Sequence, residues 1–338
     1  MRTTSIAAIL LLLGALSVSA VPADVTYTEG DASLKLKNGT TQDAQIGDKM
    51  STGDTLRTGR DGLAELNQKG VTIKIAKQTV FTLMEKSEGG QTSPVLSVAL
   101  GSIKFHYDKL TGTEPKVRTN GMVAGVRGTE FDVFAGADGS TLIAVSSGAV
   151  TVESEGKSVE LAASEGVEVP LGQPPGDKFT VQRDQVDYSK WNGGKLAAML
   201  ADPAAAMTSI ETAMASYIKD VEEYDASFKE YSQRLAAERA NRVKIGEDKG
   251  ADEARKYEDD VVVPLMNQTA ALSLNLRYSA LAALSLRRFV AGRMYLFMKA
   301  QFIGRENDAE WSGFAARFNS MLSDFEKSVV PKLVQADI

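Results

Sequence analysis

The sequence contains no cysteine and a single histidine, His106, among its 338 residues. The absence of cysteine excludes disulfide bonds, thiolate zinc sites, cysteine nucleophiles and acylation of an N-terminal cysteine. One imidazole cannot form a cluster of histidine metal ligands, so His106 is better explained as a packing or surface residue. The glycine spacings of nucleotide-binding loops are also missing. We therefore expect no metal site and no bound cofactor.

Excess positive charge is missing as well, because 38 Lys and Arg residues face 44 Asp and Glu residues, for a net charge of −6. This mild acidity excludes a basic nucleic-acid-binding protein. No serine–lysine motif introduces a helix. In each of the acidic pairs Glu222-Glu223 and Asp259-Asp260, the two neighbouring side chains point about 100° apart on a helix, so they cannot act together as a catalytic pair. We therefore assign no catalytic residue and expect a protein that is not an enzyme.

Long apolar runs are confined to the N-terminus. Residues 1–20 combine Arg2, an apolar stretch at 6–13 and the small residues Val18-Ser19-Ala20, which are the three parts of a secretory signal. A retained membrane anchor is the alternative, but the stretch is short and has no charge on its far side. Arginines and a lysine interrupt the next richest stretch, 265–302. The sequence predicts cleavage near Ala20 and a periplasmic or secreted protein without a transmembrane helix.

Residues 21–185 show short runs in which apolar and polar side chains alternate, as in the half-buried strand pattern of Val-Thr-Ile-Lys-Ile at 71–75. Turn sequences such as Ala137-Asp138-Gly139, Ser147-Gly148 and Glu155-Gly156 separate about a dozen such runs. No helical pattern lies between them. The pattern predicts an all-β domain that is either a sandwich or a coiled, solenoid-like sheet.

Residues 186–338 have a different period, which begins after the interruptions at 171–177 and at Trp191-Asn192-Gly193-Gly194. Asp202-Pro203 has the form of an N-cap followed by proline, and apolar residues then recur in steps of three and four as far as Leu235. A loop at 246–250, a helix over about 264–303 with a shorter approach at 252–263, and a last helix from Asn307-Asp308 complete the pattern. We expect an elongated antiparallel helical bundle as a separate domain.

The apolar seam of the first long helix includes Tyr217, Tyr224, Phe228 and Tyr231. Tyrosines at such positions need hydroxyl partners at the edge of a core or on another molecule. Either the seam closes against 265–302 of the same chain, or it forms a homo-oligomer through the helices.

Seven groups of residues within about 45–170 together resemble the FecR domain family. They are Gly53-Asp54-Thr55-Leu56-Arg57-Thr58-Gly59, Ala64-Glu65-Leu66, Gly101-Ser102-Ile103, Val117-Arg118-Thr119-Asn120, Val123-Ala124-Gly125-Val126-Arg127-Gly128-Thr129-Glu130-Phe131-Asp132-Val133, Val145-Ser146-Ser147-Gly148-Ala149-Val150-Thr151-Val152, and Gly166-Val167-Glu168-Val169. The resemblance does not reach the helices.

The resemblance implies a bacterial envelope protein whose β domain contacts another protein or an envelope component. The founding members regulate ferric-citrate uptake and combine a periplasmic β domain with a membrane helix and a cytoplasmic segment that controls a sigma factor. This sequence shows neither of the last two features, so iron regulation is not carried over. We expect a partner in the envelope, either a protein or, as the alternative, cell-wall or glycan material.

The candidate interaction residues are those at the centre of the resemblance, Arg127, Gly128, Thr129, Glu130 and Phe131. Strict alternation places Arg127 on the same sheet face as Val123, Thr129, Phe131 and Val133, which is an unfavourable position for a guanidinium. Either a bulge at Gly125 or Gly128 changes the register, or Arg127 is partly buried and paired with a carboxylate.

Overall fold

The computed structural model of the chain describes residues 22–88, 91–107, 116–181 and 186–335. The predicted secretory signal lies outside these residues. Fifteen strands precede all of the helices within the described ranges. They are β1 Ala23–Glu29, β2 Ala32–Lys35, β3 Thr41–Asp43, β4 Lys49–Met50, β5 Thr55–Thr58, β6 Leu63–Gln68, β7 Val71–Ile75, β8 Val80–Glu88, β9 Gln91–Tyr107, β10 Lys116–Arg118, β11 Val123–Ala135, β12 Thr141–Ser154, β13 Lys157–Ala162, β14 Glu165–Val169 and β15 Phe179–Thr180.

All of these strands belong to one hydrogen-bonded sheet that is held together by the long strands β9, β11 and β12. The first half of β9 pairs with β8 on one side and β10 on the other, whereas its second half pairs with β7 and β11. In the same way β12 pairs with β14 near its start and with β13 near its end. The predicted β-rich N-terminal part is confirmed, whereas the sandwich alternative is not.

The core of the β region follows from the period of two along its strands, because every second side chain points to the same face. In β7, Val71, Ile73 and Ile75 are buried while Thr72 and Lys74 are not. The inward residues of nearly all strands join in a single apolar cluster that includes Leu34, Leu56, Phe105, Phe131 and Val150. Burial of this cluster supplies the main driving force for folding of the sheet.

The helices are α1 Tyr188–Ala201, α2 Pro203–Lys249, α3 Ala251–Tyr257, α4 Val263–Leu286, α5 Gly292–Gln301, α6 Ala309–Ser328 and α7 Val330–Gln335. Single π-helical segments, Glu258–Val262 and Arg287–Ala291, connect α3 to α4 and α4 to α5. The predicted N-cap is confirmed, because Asp202 accepts a hydrogen bond from the Ala205 N–H at 2.9 Å. The last helix, α6, begins where it was expected, with Asp308 as its N-cap. Gly250 ends α2 at a φ of 96°.

The three long helical segments pack side by side, with α2 against both α4 and α6. Helix α2 has 47 residues and is therefore about 70 Å long. Arg317 of α6 donates a hydrogen bond to Glu211 of α2, and Ser328, later in α6, donates one to Glu222, later in α2. The two helices therefore run in the same direction. Methionine, leucine and phenylalanine side chains from these helices form a second apolar cluster.

Three predictions about local structure are wrong. The loop expected at 246–250 is reduced to Gly250, because α2 continues as far as Lys249. Trp191-Asn192-Gly193-Gly194 was expected to precede the helices, but it lies inside α1. Tertiary contacts override the low helix propensity of its glycines: Trp191 donates to Glu168 at 3.1 Å, and Asn192 accepts from the Ala137 N–H at 2.8 Å. Ser147-Gly148 was expected to be a turn, but it lies within the continuous strand β12.

The helices are bonded directly to the sheet, so the expectation of separate domains is not confirmed. The Asn275 side chain of α4 pairs with the backbone of Ser87 in β8, and the Tyr217 hydroxyl of α2 donates to the Asn120 carbonyl at 3.0 Å. The boundary at 185/186 stays a prediction about independent folding. Across the described ranges, no helix has the length and apolar character needed to span a bilayer.

Candidate functional site

The bulge, which was one of the two alternatives for the FecR-like motif, is present in β11. Register with β12 shifts between Arg127 and Glu130, and Gly128 has a φ of 57°. Before the shift Ala124 and Val126 are buried, and after it Thr129 and Phe131 are buried. The extra residue thus moves the inward face from even to odd positions, so strict alternation does not continue through the motif.

The five predicted interaction residues do not form one surface. Phe131 is fully buried and stacks on Phe105 with ring centroids 5.1 Å apart, and Thr129 is also buried. Gly128 is exposed, and Glu130 forms an ion pair with Lys104 at 3.4 Å. The backbone of Arg127 pairs with Ala149, but its side chain lies outside the described part of the structure. Partner binding by these residues stays a prediction.

A cleft of about 570 Å³ lies between the sheet and the helices, a short distance along the chain from this motif. Its walls are the segment after β10, the β12–β13 turn and the facing sides of α2 and α4. Arg118, at the end of β10, is one of its lining residues. The resemblance included Arg118 through the Val117-Arg118-Thr119-Asn120 segment, but our sequence analysis did not assign it to a site.

Arg118 is only 2% exposed and lies between two tyrosine rings. Its guanidinium carbon is 5.0 Å from the ring centroid of Tyr217 in α2 and 5.1 Å from that of Tyr278 in α4. Such cation–π contacts compensate part of the cost of removing the charge from water. Although burial opposes the charge of the guanidinium, the Tyr217 and Tyr278 side chains raise the pKa of Arg118, which therefore stays protonated.

Asn120 connects three elements at the floor of this cleft. Its side-chain amide donates to the Ala99 carbonyl of β9 at 3.0 Å, and its side-chain oxygen accepts from the Ser285 hydroxyl of α4 at 3.0 Å. Its backbone carbonyl accepts from the Tyr217 hydroxyl of α2. The Tyr217 hydroxyl, which the heptad pattern left without a partner, is therefore satisfied within the chain.

Charged groups of both signs surround Arg118. Lys86 lies 5.4 Å from the Tyr278 ring centroid and forms an ion pair with Glu88 at 2.7 Å. Hydrogen bonds from Lys116 and then Lys86 lower the pKa of Glu88 to about 2. On the helical wall, burial raises the pKa of Asp220, and the nearby Glu223 carboxylate adds to this effect. The described residues contain no group of three or more acidic or imidazole side chains that could hold a metal ion.

The FecR resemblance is confirmed, since the model of the family described as "FecR protein" matches residues 54–151. This range includes Arg118, Asn120 and the bulge but none of the helices. The β region of the chain therefore contains a FecR-type segment. No curated protein matches the chain.

Two crystal structures of a "putative anti-sigma factor" from Parabacteroides distasonis ATCC 8503, at 1.65 and 2.50 Å resolution, are similar to part of the chain. Both are 18% identical to it, with TM-scores of 0.34 and 0.33. The similar parts cover 40% and 38% of this chain and 63% and 60% of those chains. The chain thus spans about three fifths of the length of these proteins.

Proposed function

We propose that the chain is a non-enzymatic, exported regulatory or sensing protein that binds another protein of the bacterial envelope. The FecR-type segment at 54–151 is the observation that carries this proposal. The FecR-type β region receives the partner, and the helices act as an interaction or spacer arm. Export depends on the signal-like residues 1–20.

The bonds between sheet and helices support a sensing role. Asn120, inside the matched segment, is bonded to both α2 and α4. A partner that shifts this segment must also change the contacts of the helices, because the same residue belongs to both interfaces. Binding at one part of the molecule is thereby transmitted to the other.

The alternative, binding of cell-wall or glycan material, needs exposed aromatic rings on a sheet face. The β region, residues 21–185, has seven aromatic residues: Tyr27, Phe81, Phe105, Tyr107, Phe131, Phe134 and Phe179. Only Tyr27 and Phe179, at 45% and 39%, are substantially exposed, and the other five are buried in the core. This distribution favours a protein partner over a flat glycan platform.

The proposal is tested with the full-length chain carrying a C-terminal tag, expressed in its own bacterium and crosslinked before purification. We expect one envelope protein to be recovered in a fixed ratio and the purified chain to begin at Val21. Arg127→Glu should reduce recovery of that protein at least tenfold without changing the melting temperature.

Arg60→Glu is the matched control, because Arg60 is an exposed arginine in the turn between β5 and β6. Recovery equal to wild type is expected for this variant. Equal recovery with Arg127→Glu contradicts a role for the motif. Retention of cell-wall fragments in place of a protein supports the alternative.

A further inference from the structure

The buried guanidinium of Arg118 has an unused hydrogen-bonding atom. Its Nη2 has no hydrogen-bond partner anywhere in the described ranges, although Arg118 lines the cleft between sheet and helices. A buried donor without a partner destabilises the folded protein, and a charged donor does so more strongly. Such groups are rare in native structures, and each one needs an explanation, such as a catalytic role or a bound water or ion.

The setting of Arg118 is that of a ligand site more than of a structural ion pair. The rings of Tyr217 and Tyr278 hold the guanidinium on both sides, so it is oriented before any ligand arrives. Within the described chain, no carboxylate lies within ion-pair distance of it, and the negative charge of Asp220 acts on it only from further away. The cleft of about 570 Å³ lies in the size range of small-molecule sites.

We propose that this cleft binds a small polar molecule through a carboxylate group, which accepts hydrogen bonds from Arg118. The inference goes beyond the proposed function and does not depend on it. The guanidinium fork matches a carboxylate in geometry and charge. The hydroxyls of Ser216 and Ser279 also line the cleft and provide polar contacts for the rest of the molecule.

The charges in the cleft other than Arg118 are three carboxylates and the two lysines Lys86 and Lys157, so they are net negative and disfavour a doubly charged anion. Asp220, Glu153 and Glu155 line the same cleft as Arg118 and repel a doubly charged phosphate more strongly than a carboxylate. Lys86 is neutralised in part by Glu88. The raised pKa of Asp220 is consistent with a carboxyl group held in a partly dehydrated cleft.

The test uses the full chain and three carboxylates, acetate, lactate and benzoate, each beside its neutral amide. Binding is followed by saturation-transfer NMR and by titration. We expect saturation transfer to at least one carboxylate and none to its amide. Arg118→Met should bind that carboxylate at least tenfold more weakly than wild type does. The wild-type protein should bind inorganic phosphate more weakly than the carboxylate. Arg118→Lys should have an affinity between those of Arg118→Met and wild type, because lysine keeps the positive charge but lacks the two parallel N–H donors of the guanidinium.

Arg57→Met is the matched control. Arg57 also stacks on a helical aromatic ring, with its guanidinium carbon 5.8 Å from the Phe289 centroid, but it does not line the cleft. This variant should bind the carboxylates like wild type. Equal binding of acids and amides, or unchanged binding by Arg118→Met, overturns the proposal and leaves Arg118 a packing role.

A second variant keeps the test decisive if Arg118→Met fails to fold. Asp220 is half-buried on α2, and Asp220→Asn removes a negative charge from the cleft with little change in shape. We expect phosphate binding to become at least threefold tighter, because the repulsion has been reduced. Phosphate binding that stays as weak as in wild type contradicts the assigned anion site.

Discussion

The side chain of Asn275 pairs with the backbone of Ser87 as a neighbouring strand would. Its amide nitrogen donates to the Ser87 carbonyl, and its oxygen accepts from the Ser87 N–H, both at 2.8 Å. Ser87 lies in the part of β8 beyond its pairing with β5. A helix residue thus satisfies a sheet edge that would otherwise carry free donors and acceptors.

Asn275→Ala should destabilise the protein by about 2–4 kcal/mol, because it leaves a buried N–H and a buried carbonyl without partners. The midpoint of urea unfolding measures the change. Asn267→Ala, an exposed asparagine on the same helix, should stay within about 0.5 kcal/mol of wild type. A loss for Asn275→Ala no larger than for this control contradicts the assigned edge contact.

Three glycines around the bulge should respond differently to alanine. Gly125 has open space at its Cβ position, so Gly125→Ala should be nearly neutral. Gly128 also has space but a φ of 57°, and its replacement should cost about 1 kcal/mol. At Gly148, with a φ of 78°, a Cβ would lie 2.4 Å from the Thr129 side chain and 2.7 Å from the Gly128 carbonyl oxygen.

Gly148→Ala should therefore be the most damaging of the three, at about 2–4 kcal/mol. Thermal unfolding of the four proteins in parallel gives the order. Gly128→Asn should lose less than Gly128→Ala, because asparagine tolerates the left-handed conformation better. An equal loss at all three glycines would falsify the bulge geometry.

The ion pairs of Glu88 should make stability depend on pH in the acid range. Its pKa is lowered in the folded state to about 2, so the ionised carboxylate stabilises the fold above its unfolded pKa. This contribution is lost as the pH falls from roughly 4.5 towards 2. The stability difference between wild type and Glu88→Gln should shrink over that range.

The side chain of Glu88 is about half exposed, so solvent screens these ion pairs and salt should weaken them. Urea unfolding at pH 6, 4 and 3, with and without 1 M NaCl, measures both effects. Glu160→Gln, on the exposed side of β13, is the control for loss of a surface charge. A difference for Glu88→Gln that stays constant with pH contradicts the pairing.

Arg317 connects α6 to the start of α2. It bonds both oxygens of Glu211, at 3.0 and 2.5 Å, and donates to the Thr208 hydroxyl at 2.9 Å. Arg317→Lys should destabilise the protein by about 1 kcal/mol, because lysine cannot form the two-point contact. Calorimetric melting of this variant beside Arg239→Lys, an exposed arginine of α2, checks the value.

Much of the architecture was predictable because it depends on local chemistry. Alternation predicted the strands, and Asp202-Pro203 and Asn307-Asp308 marked the starts of helices. The inclusion of Gly193 and Gly194 in α1 was not predictable, since contacts of Tyr188 and Trp191 with the distant residues Ala135 and Glu168 hold that helix. Local propensity carries no information about such partners.

The candidate cleft was missed for the same reason. The pattern of β10 shows that Arg118 alternates with core residues, but not which element covers it. The aromatic seam of α2 was recognised, yet nothing in its spacing indicated that Tyr217 reaches the sheet. Only the fold brings Arg118, Tyr217 and Tyr278 together, because they are distant in sequence.

The pairing of Ser87 with Asn275 also sets an order of events during synthesis. The two residues are 188 positions apart, so the outer edge of β8 emerges long before the residue that covers it. Until α4 arrives, that edge is open to pairing with strands of other chains. The nascent protein is therefore most prone to aggregate after its sheet has formed and before its helices are complete.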